Sequence, residues 1–477
     1  MVAAAAGLGL AGGHAVGGSA PRASTGPRGT VLITGATVLT CAPVDDVRPD
    51  TDVLVRDGVI AGVGHSLPRP ADVEVIDGGG ALLMPGMVDT HRHAWQLPLA
   101  GLGANWDFDT FTEVTQGRAV PAYTAEDFRR AALASHLDAL DAGVTTVLDY
   151  NHGLVTPDHA EASLRAARES GARVRFAWGH AAQVGNDPQR SWATDGDVLQ
   201  VARDASLVGG LVSLQLALDA SGEPGFPEEA AWRYAADNDL GVTAHTGLYG
   251  RGADALVDEL RERGLLRPGL NFVHAAEFRP DTYEAIAASG GVISVATESE
   301  CTFGQGRPAT SRAEAAGVTF GLGSDTVTYQ SGDILSAMRT TLDLDRFVAN
   351  DDARAADAEL PRHRPVDRML LAGTLGGARS LGLAESIGSI EVGKRADLVL
   401  LRSSSPSFGI ATANYPQAAA VLHAGRGDVD TVLVDGTVVK RDGTLVADTG
   451  PVLAELTDTR DRLATEIDLP RWRYGAA

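Results

Sequence analysis

Pro85-Gly-Met-Val-Asp-Thr-His91-Arg-His93 carries the first mark of the chain's architecture. An apolar run beginning at Leu83 reaches Thr90 and ends in two histidines at i and i+2. Side chains on a strand alternate faces, so two imidazoles spaced by two project to the same side. A strand whose last residues present paired imidazoles is half of a metal site. Its rank as first strand of a larger α/β unit follows from what comes after it.

Seven further apolar runs of strand length follow: Val144–Asp149, Val174–Trp178, Leu211–Leu218, Gly241–His245, Asn271–His274, Gly291–Ala296 and Val318–Gly323. Amphipathic helical stretches such as Ala125–Ala142, Glu228–Asn238 and Asp281–Ala288 lie between most of them. Strand and helix alternating eight times predict an α/β fold, a (β/α)8 TIM barrel, rather than an open doubly wound sheet, because no Gly-rich dinucleotide loop follows the first strand. In a barrel, residues just past the strand C-termini line one pocket. Those positions are His91, His93, Asp149, His152, His180, Asp219, His245, His274 and Asp325. Six of the chain's twelve histidines fall there.

Outward from the barrel, both chain ends read as β structure. Val31–Leu39, Asp52–Ile60 and Val73–Asp77 precede it; Ala396–Leu401, Thr431–Val439 and Gly443–Val446 follow it, all short and punctuated by Gly and Asp. The expected organisation is a disordered or signal-remnant segment at 1–29, a small β-sandwich built from 30–82 and 386–447, the barrel at 83–385, and a helical tail at 448–477. The segment Ala349–Arg364, charged and Ala-rich, reads as a mobile excursion. Met1 to Arg28 is Ala/Gly-rich and resembles an export signal lacking its charged start; a cytoplasmic location is expected unless it is one.

Composition narrows the function. The 477 residues are 44% hydrophobic, enough for a large core, and no long apolar run marks a membrane span. A net charge of −22 argues against a nucleic-acid partner, since phosphate repels such a surface. The two cysteines, Cys41 and Cys301, can build neither a disulfide framework nor a thiolate zinc cluster. Lysine occurs only at 394 and 440.

The His91/His93 pair gains partners in His245, ending Leu240-Gly-Val-Thr-Ala-His245, and in Asp325, ending Thr319-Phe-Gly-Leu-Gly-Ser-Asp325. Taken alone, a strand-end His or Asp is ordinary. Three imidazoles and one carboxylate together suit a divalent ion, Zn2+ before Fe2+, with a position left for water. Such an ion lowers the pKa of bound water from about 15.7 to about 7, a carboxylate beside it takes the proton, and an imidazole opposite stabilises developing charge.

These residues, with the tail Gly388-Ser-Ile-Glu-Val-Gly-Lys-Arg-Ala-Asp-Leu-Val, resemble the amidohydrolase superfamily, in the branch of cytosine deaminase-like, S-adenosylhomocysteine deaminase-like and triazine hydrolases. The resemblance spans about Thr30 to Val446. It implies that His91, His93 and His245 are metal ligands, that Asp325 is ligand or base, that His274 polarises the reacting atom, that the substrate is a small molecule, and that the protein is a homo-oligomer. Members with a lysine-bridged metal pair carry that lysine at the end of strand four; here the position reads Leu218-Asp219, so one metal is expected. Deaminases of this branch carry a glutamate three positions after the strand-five histidine; here it is Leu248. His152 and Glu300 are the candidates to carry its proton, while Trp95, Gln96, His180 and Trp106 are candidates for the substrate wall. The expected activity is metal-dependent hydrolysis of a C–N bond in a cyclic amidine, amide or amino-heterocycle. The alternative, raised by Leu248, is a non-hydrolytic cyclase, isomerase or decarboxylase on the same scaffold.

Overall fold

The computed structural model describes residues 29–180, 196–250, 252–361 and 365–468. The signal-like reading of Met1 to Arg28 and the last residues of the tail lie outside them.

Eight parallel strands form one sheet in strict chain order: Met87–Arg92, Val144–Leu154, Arg173–His180, Val212–Ala217, Val242–Thr246, Leu270–His274, Val292–Val295 and Thr319–Leu322. All eight expected strands are present. The first and eighth meet where the backbone N–H of His93 donates to the carbonyl of Asp325 at 2.7 Å and that of Asp325 donates to the carbonyl of His91 at 2.8 Å. The residues that close the barrel are therefore the same ones that carry the imidazoles and the carboxylate. Close approach at this seam needs Gly323, where a Cβ would lie 2.7 Å from the Cβ of His91.

The stretch Leu83–Thr90 is not one strand. Leu82–Pro85 belongs to a second, nine-stranded mixed sheet, and the barrel strand starts at Met87, after Gly86. The second sheet draws on both chain ends: Leu398–Leu401 runs antiparallel to Leu82–Pro85, which lies parallel to Val31–Leu39. Its period-two pattern is readable residue by residue. Leu83, Leu398 and Leu400 pack on Val31, Ile33 and Val53 in the core of the β domain, whereas Leu82, Met84, Val399 and Leu401 face the barrel's helices. One sheet thus serves two cores.

Ala349–Ala355, expected within a mobile excursion, forms the end of the 22-residue helix Ile334–Ala355. Ile334, Leu335, Met338 and Leu342 are buried along one face, together with Asp345, which accepts from Thr310 Oγ1, an amphipathic pattern that Ala-rich composition masks. Residues 362–364 lie outside the described part. Among the described residues no helix is long and apolar enough to cross a membrane.

Candidate metal centre and active site

Strand one ends in a register shift against strand two between Asp89 and Arg92. His91 and His93 turn to the same side, with ring centroids 4.6 Å apart. Arg92 turns the other way, is buried, and is held by Ser135 Oγ (2.9 Å), Ser324 Oγ (3.1 Å), the Gly332 carbonyl (2.8 Å) and Asp138 (3.1 Å). Asp89 accepts from the backbone N–H of Ser324 at 3.0 Å and from that of His91 at 3.2 Å. This buried polar network fixes the direction in which the two imidazoles point.

Four ligand atoms from three strands converge. His245 Nε2 lies 3.3 Å from His91 Nε2 and 3.3 Å from His93 Nε2. Asp325 Oδ1 lies 3.4 Å from His91 Nε2 and 3.2 Å from His93 Nε2. A tetrahedral zinc site with bonds near 2.0–2.1 Å has ligand-to-ligand edges of about 3.3–3.4 Å, so these spacings match the edges of a coordination shell. The chemistry of the donors agrees. Nε2 of a neutral imidazole presents a lone pair, and several lone pairs aimed at one point are stable only around a cation. Burial holds His91 well below the ordinary histidine range despite its hydrogen bond to Asp325, with His93 and His245 adding to the depression. Burial alone would raise Asp325, but the adjoining His91 and His93 imidazoles outweigh it and hold the carboxyl well below its usual range. Neutral imidazole and ionised carboxylate are the forms a metal takes.

His274, buried, completes a second grouping with His91 and Asp325, their ligand atoms all within 4.8 Å of one another. Both His274 (φ 72°) and Asp325 (φ 56°) hold left-handed backbone conformations. Non-glycine residues adopt these at a cost and keep them where the surroundings enforce them, often at functional sites.

Outside the ligands, His93 Nδ1 lies 2.8 Å from the Tyr150 carbonyl and His245 Nδ1 3.1 Å from both oxygens of Asp219. An acceptor at Nδ1 places the proton there and leaves Nε2 free for metal. Ser299 Oγ contacts Asp325 Oδ2 and lies 2.9 Å from Tyr329 Oη. Tyr150, Asp219 in this role, and Ser299 escaped the sequence reading. Asp219 at a strand end was the one visible signal; Tyr150 reads as an apolar strand residue.

His152 lies two residues before the end of strand two with its ring 4.3 Å from that of His93, and its buried Nδ1 has no partner among the described residues. Glu300 is buried in the short helix Thr297–Thr302; Oε1 accepts from Ala296 N at 2.9 Å and lies 3.6 Å from His274 Nδ1, while Oε2 has no partner among the described residues. Leu248 is half-buried beyond the strand-five histidine. Trp95 is wholly buried, edge-on to His152 at 5.6 Å and stacked on Phe128 at 6.1 Å. Gln96, also buried, meets Thr328 Oγ1 at 3.4 Å. Trp106 is half-buried, its backbone N–H bonded to the Gly103 carbonyl at 3.0 Å. His180 is half-buried at the end of strand three.

An aromatic cluster that the sequence did not disclose stands on the Asp325 side. Phe303 lies 4.4 Å from Tyr329, Phe111 5.4 Å from Tyr329, and Phe108 5.5 Å from both Phe303 and Tyr249. The rings come from segments after strands one, five, seven and eight, which are distant in sequence. Phe108 and Tyr249 are exposed.

A barrel with imidazoles and a carboxylate at its strand ends defines a class of metal-binding hydrolases. The chain matches the amidohydrolase family over residues 82–439 and belongs to it. It is 28% identical over 436 residues to a 5-methylthioadenosine/S-adenosylhomocysteine deaminase of Desulforudis audaxviator, covering 87% of this chain and 95% of that relative. It is 26% identical over 431 residues to a 5'-deoxyadenosine deaminase of Methanothermobacter thermautotrophicus, covering 87% and 94%. Among solved structures, an adenosine deaminase from Xanthomonas campestris with bound zinc superposes with a TM-score of 0.74 at 25% identity, covering 91% of this chain and 98% of that one. Atrazine chlorohydrolase from Arthrobacter aurescens complexed with zinc gives 0.74 at 20% identity, covering 90% and 100%, which shows a shared fold. The chain is a metal-binding enzyme of this family, hydrolase and deaminase-like in its relatives.

Proposed function

We propose that the protein hydrolyses a C–N bond of a planar small molecule, a cyclic amidine, amide or amino-heterocycle, at a single zinc site held by His91, His93, His245 and Asp325. The observation that carries this is the set of 3.2–3.4 Å spacings among three imidazole nitrogens and one carboxylate oxygen. A divalent ion there supplies Lewis acidity that activates water and polarises the electrophile. The deaminase relatives support the bond type.

The chain's residues take the remaining roles. Asp325 accepts the proton of the attacking water. His274, backed by Glu300, stabilises charge on the atom opposite. Leu248 moves no proton, so delivery to the leaving nitrogen falls to His152, whose ring lies 4.3 Å from that of His93 and whose Nδ1 has no partner among the described residues, or to Glu300. Trp95 backs His152 from within the core. Gln96, Trp106 and His180 contribute to the rim, and Phe108, Phe111, Tyr249, Phe303 and Tyr329 form the apolar wall against which the flat part of the substrate lies. A single ion is favoured because Asp219, not a lysine, stands just past strand four; Lys440 is committed to Asp141 and Lys394 to Glu391.

The test is metal analysis of purified protein with a screen of aminoheterocycles, cyclic amidines and amides in H2 18O. Hydrolysis releases ammonia or amine, or opens a ring, and labels the product. A single unlabelled isomer as product would overturn the hydrolytic reading in favour of a cyclase or isomerase.

A further inference from the structure

We propose that Tyr150 and Asp219 form a relay that aligns two ligands from different strands, making Tyr150 a positioning residue of the metal centre. The inference rests on the metal reading above.

Tyr150 lies between Leu148 and His152 on the interior face of strand two and is wholly buried. Its two polar ends serve different histidines. The carbonyl accepts the Nδ1 proton of His93 at 2.8 Å. The hydroxyl donates to Asp219 Oδ1 at 2.5 Å. That oxygen also accepts the backbone N–H of His245 at 2.9 Å, and both Asp219 oxygens lie 3.1 Å from His245 Nδ1. The Tyr150 ring is tilted over that of His245 at 4.2 Å and stands edge-on to His91 and His93 at 5.1 and 5.3 Å. One side chain thus touches the surroundings of three imidazoles.

The hydroxyl has a reason to be there. The Asp219 side chain is 42% exposed, and a carboxylate so placed has solvated rotamers in competition with the one that faces His245. A donor from a buried, immobile ring selects the useful rotamer. His245 is itself the least buried of the three imidazoles, so its orientation depends most on such a contact. An acceptor held at Nδ1 fixes the tautomer and raises ligand basicity. A tyrosine present only to fill the barrel would be replaceable by phenylalanine without loss.

Y150F in the full-length protein tests this, with zinc and cobalt as probes. The expected result is a rise in zinc Kd of about 10- to 100-fold and an altered visible absorption spectrum of the cobalt-loaded form, with the melting temperature of the chelated protein little changed. D219A should weaken zinc in the same direction, and the double variant should lose little more than either alone, as for two members of one chain of contacts. Should Y150F fail to fold, D219A, at a half-exposed position, carries the test. A wild-type zinc Kd and cobalt spectrum in Y150F would overturn the relay, as would full additivity in the double variant. A wild-type protein that takes up no zinc would overturn the metal reading and the relay with it, an outcome distinct from normal zinc binding shared by wild type and variant.

Discussion

In the proposed mechanism each converging side chain does a separable job. Removing an imidazole removes a metal bond, so His91→Ala and His245→Ala should strip zinc and abolish turnover, as read by metal analysis and product release. Asp325→Asn keeps an oxygen near the ion but loses the base; much of the zinc should stay while the rate falls about 10²- to 10⁴-fold. Full activity in that variant would remove Asp325 from its role. The histidines also leave a mark on stability. Burial depresses His91, against the pull of Asp325, and burial with the nearby His93 and His245 depresses His152. In the chelated protein the unfolded chain binds these protons below pH 6.5 while the folded chain does not, so stability falls as pH drops through that value. The slope is at most about 1.4 kcal/mol per pH unit for each histidine. Asp325, held low, titrates below this window and does not flatten it. Urea midpoints of the chelated protein should therefore decline from about pH 7 to pH 5, less steeply in His152→Gln. An identical slope in that variant would show His152 to be proton-accessible in the folded state.

Among elements, strand one carries the most consequence. The side chains of His91 and His93 make the site, and the backbone of the same two residues makes the seam with the end of strand eight. Arg92 is a buried cation satisfied by Ser135, Ser324, Gly332 and Asp138, with Asp89 close by. Removing one member of a buried charge network leaves the rest uncompensated, at about 3–5 kcal/mol. Arg92→Ala should lower unfolding free energy by that amount in the chelated protein, measured by urea, and weaken zinc by loosening His91 and His93. A loss below about 1 kcal/mol would mean the seam is held by backbone alone. Strand one also shows what could be read in advance. Apolar runs and the His-x-His spacing exposed the eight strands and the histidines that converge at their ends, because burial on both faces and period two leave a local signature. The break at Gly86 left none, since apolar residues stand on both sides of it, Leu82–Met84 before and Met87 and Val88 after, and both strands are buried throughout. Trp95 shows the converse: two residues past His93 it looked like a substrate wall, but the 3-10 turn Ala94–Leu99 directs it into the core. The aromatic wall, Tyr150 and Ser299 join residues from strands far apart in sequence, and no local pattern encodes such meetings.

For the molecule as a whole, the sheet built from the chain ends is not an appendage. Leu39, Leu82, Met84, Val399, Leu401 and Val432 belong to the same buried cluster as the barrel's Val144, Val147, Phe176 and Leu140. Lys440, on the β domain, donates to the Asp141 carbonyl at 2.6 Å and pairs with its carboxylate at 2.9 Å at the end of the helix Ala125–Asp141. Apolar burial that crosses from one unit to the other ties their unfolding together, because neither can open without exposing the shared face. The metal site, in turn, joins strands one, five and eight, where the barrel closes. A ligand that binds only the folded form stabilises it by RT ln(1 + [L]/Kd), about 4 kcal/mol at a thousandfold excess over Kd. Calorimetry of the full chain should therefore show one transition for both units, and zinc should move all of it upward, whereas His91→Ala should show one transition that zinc leaves in place. Two separate transitions, only one of them responsive to zinc, would mean that the shared core does not couple the β domain to the barrel.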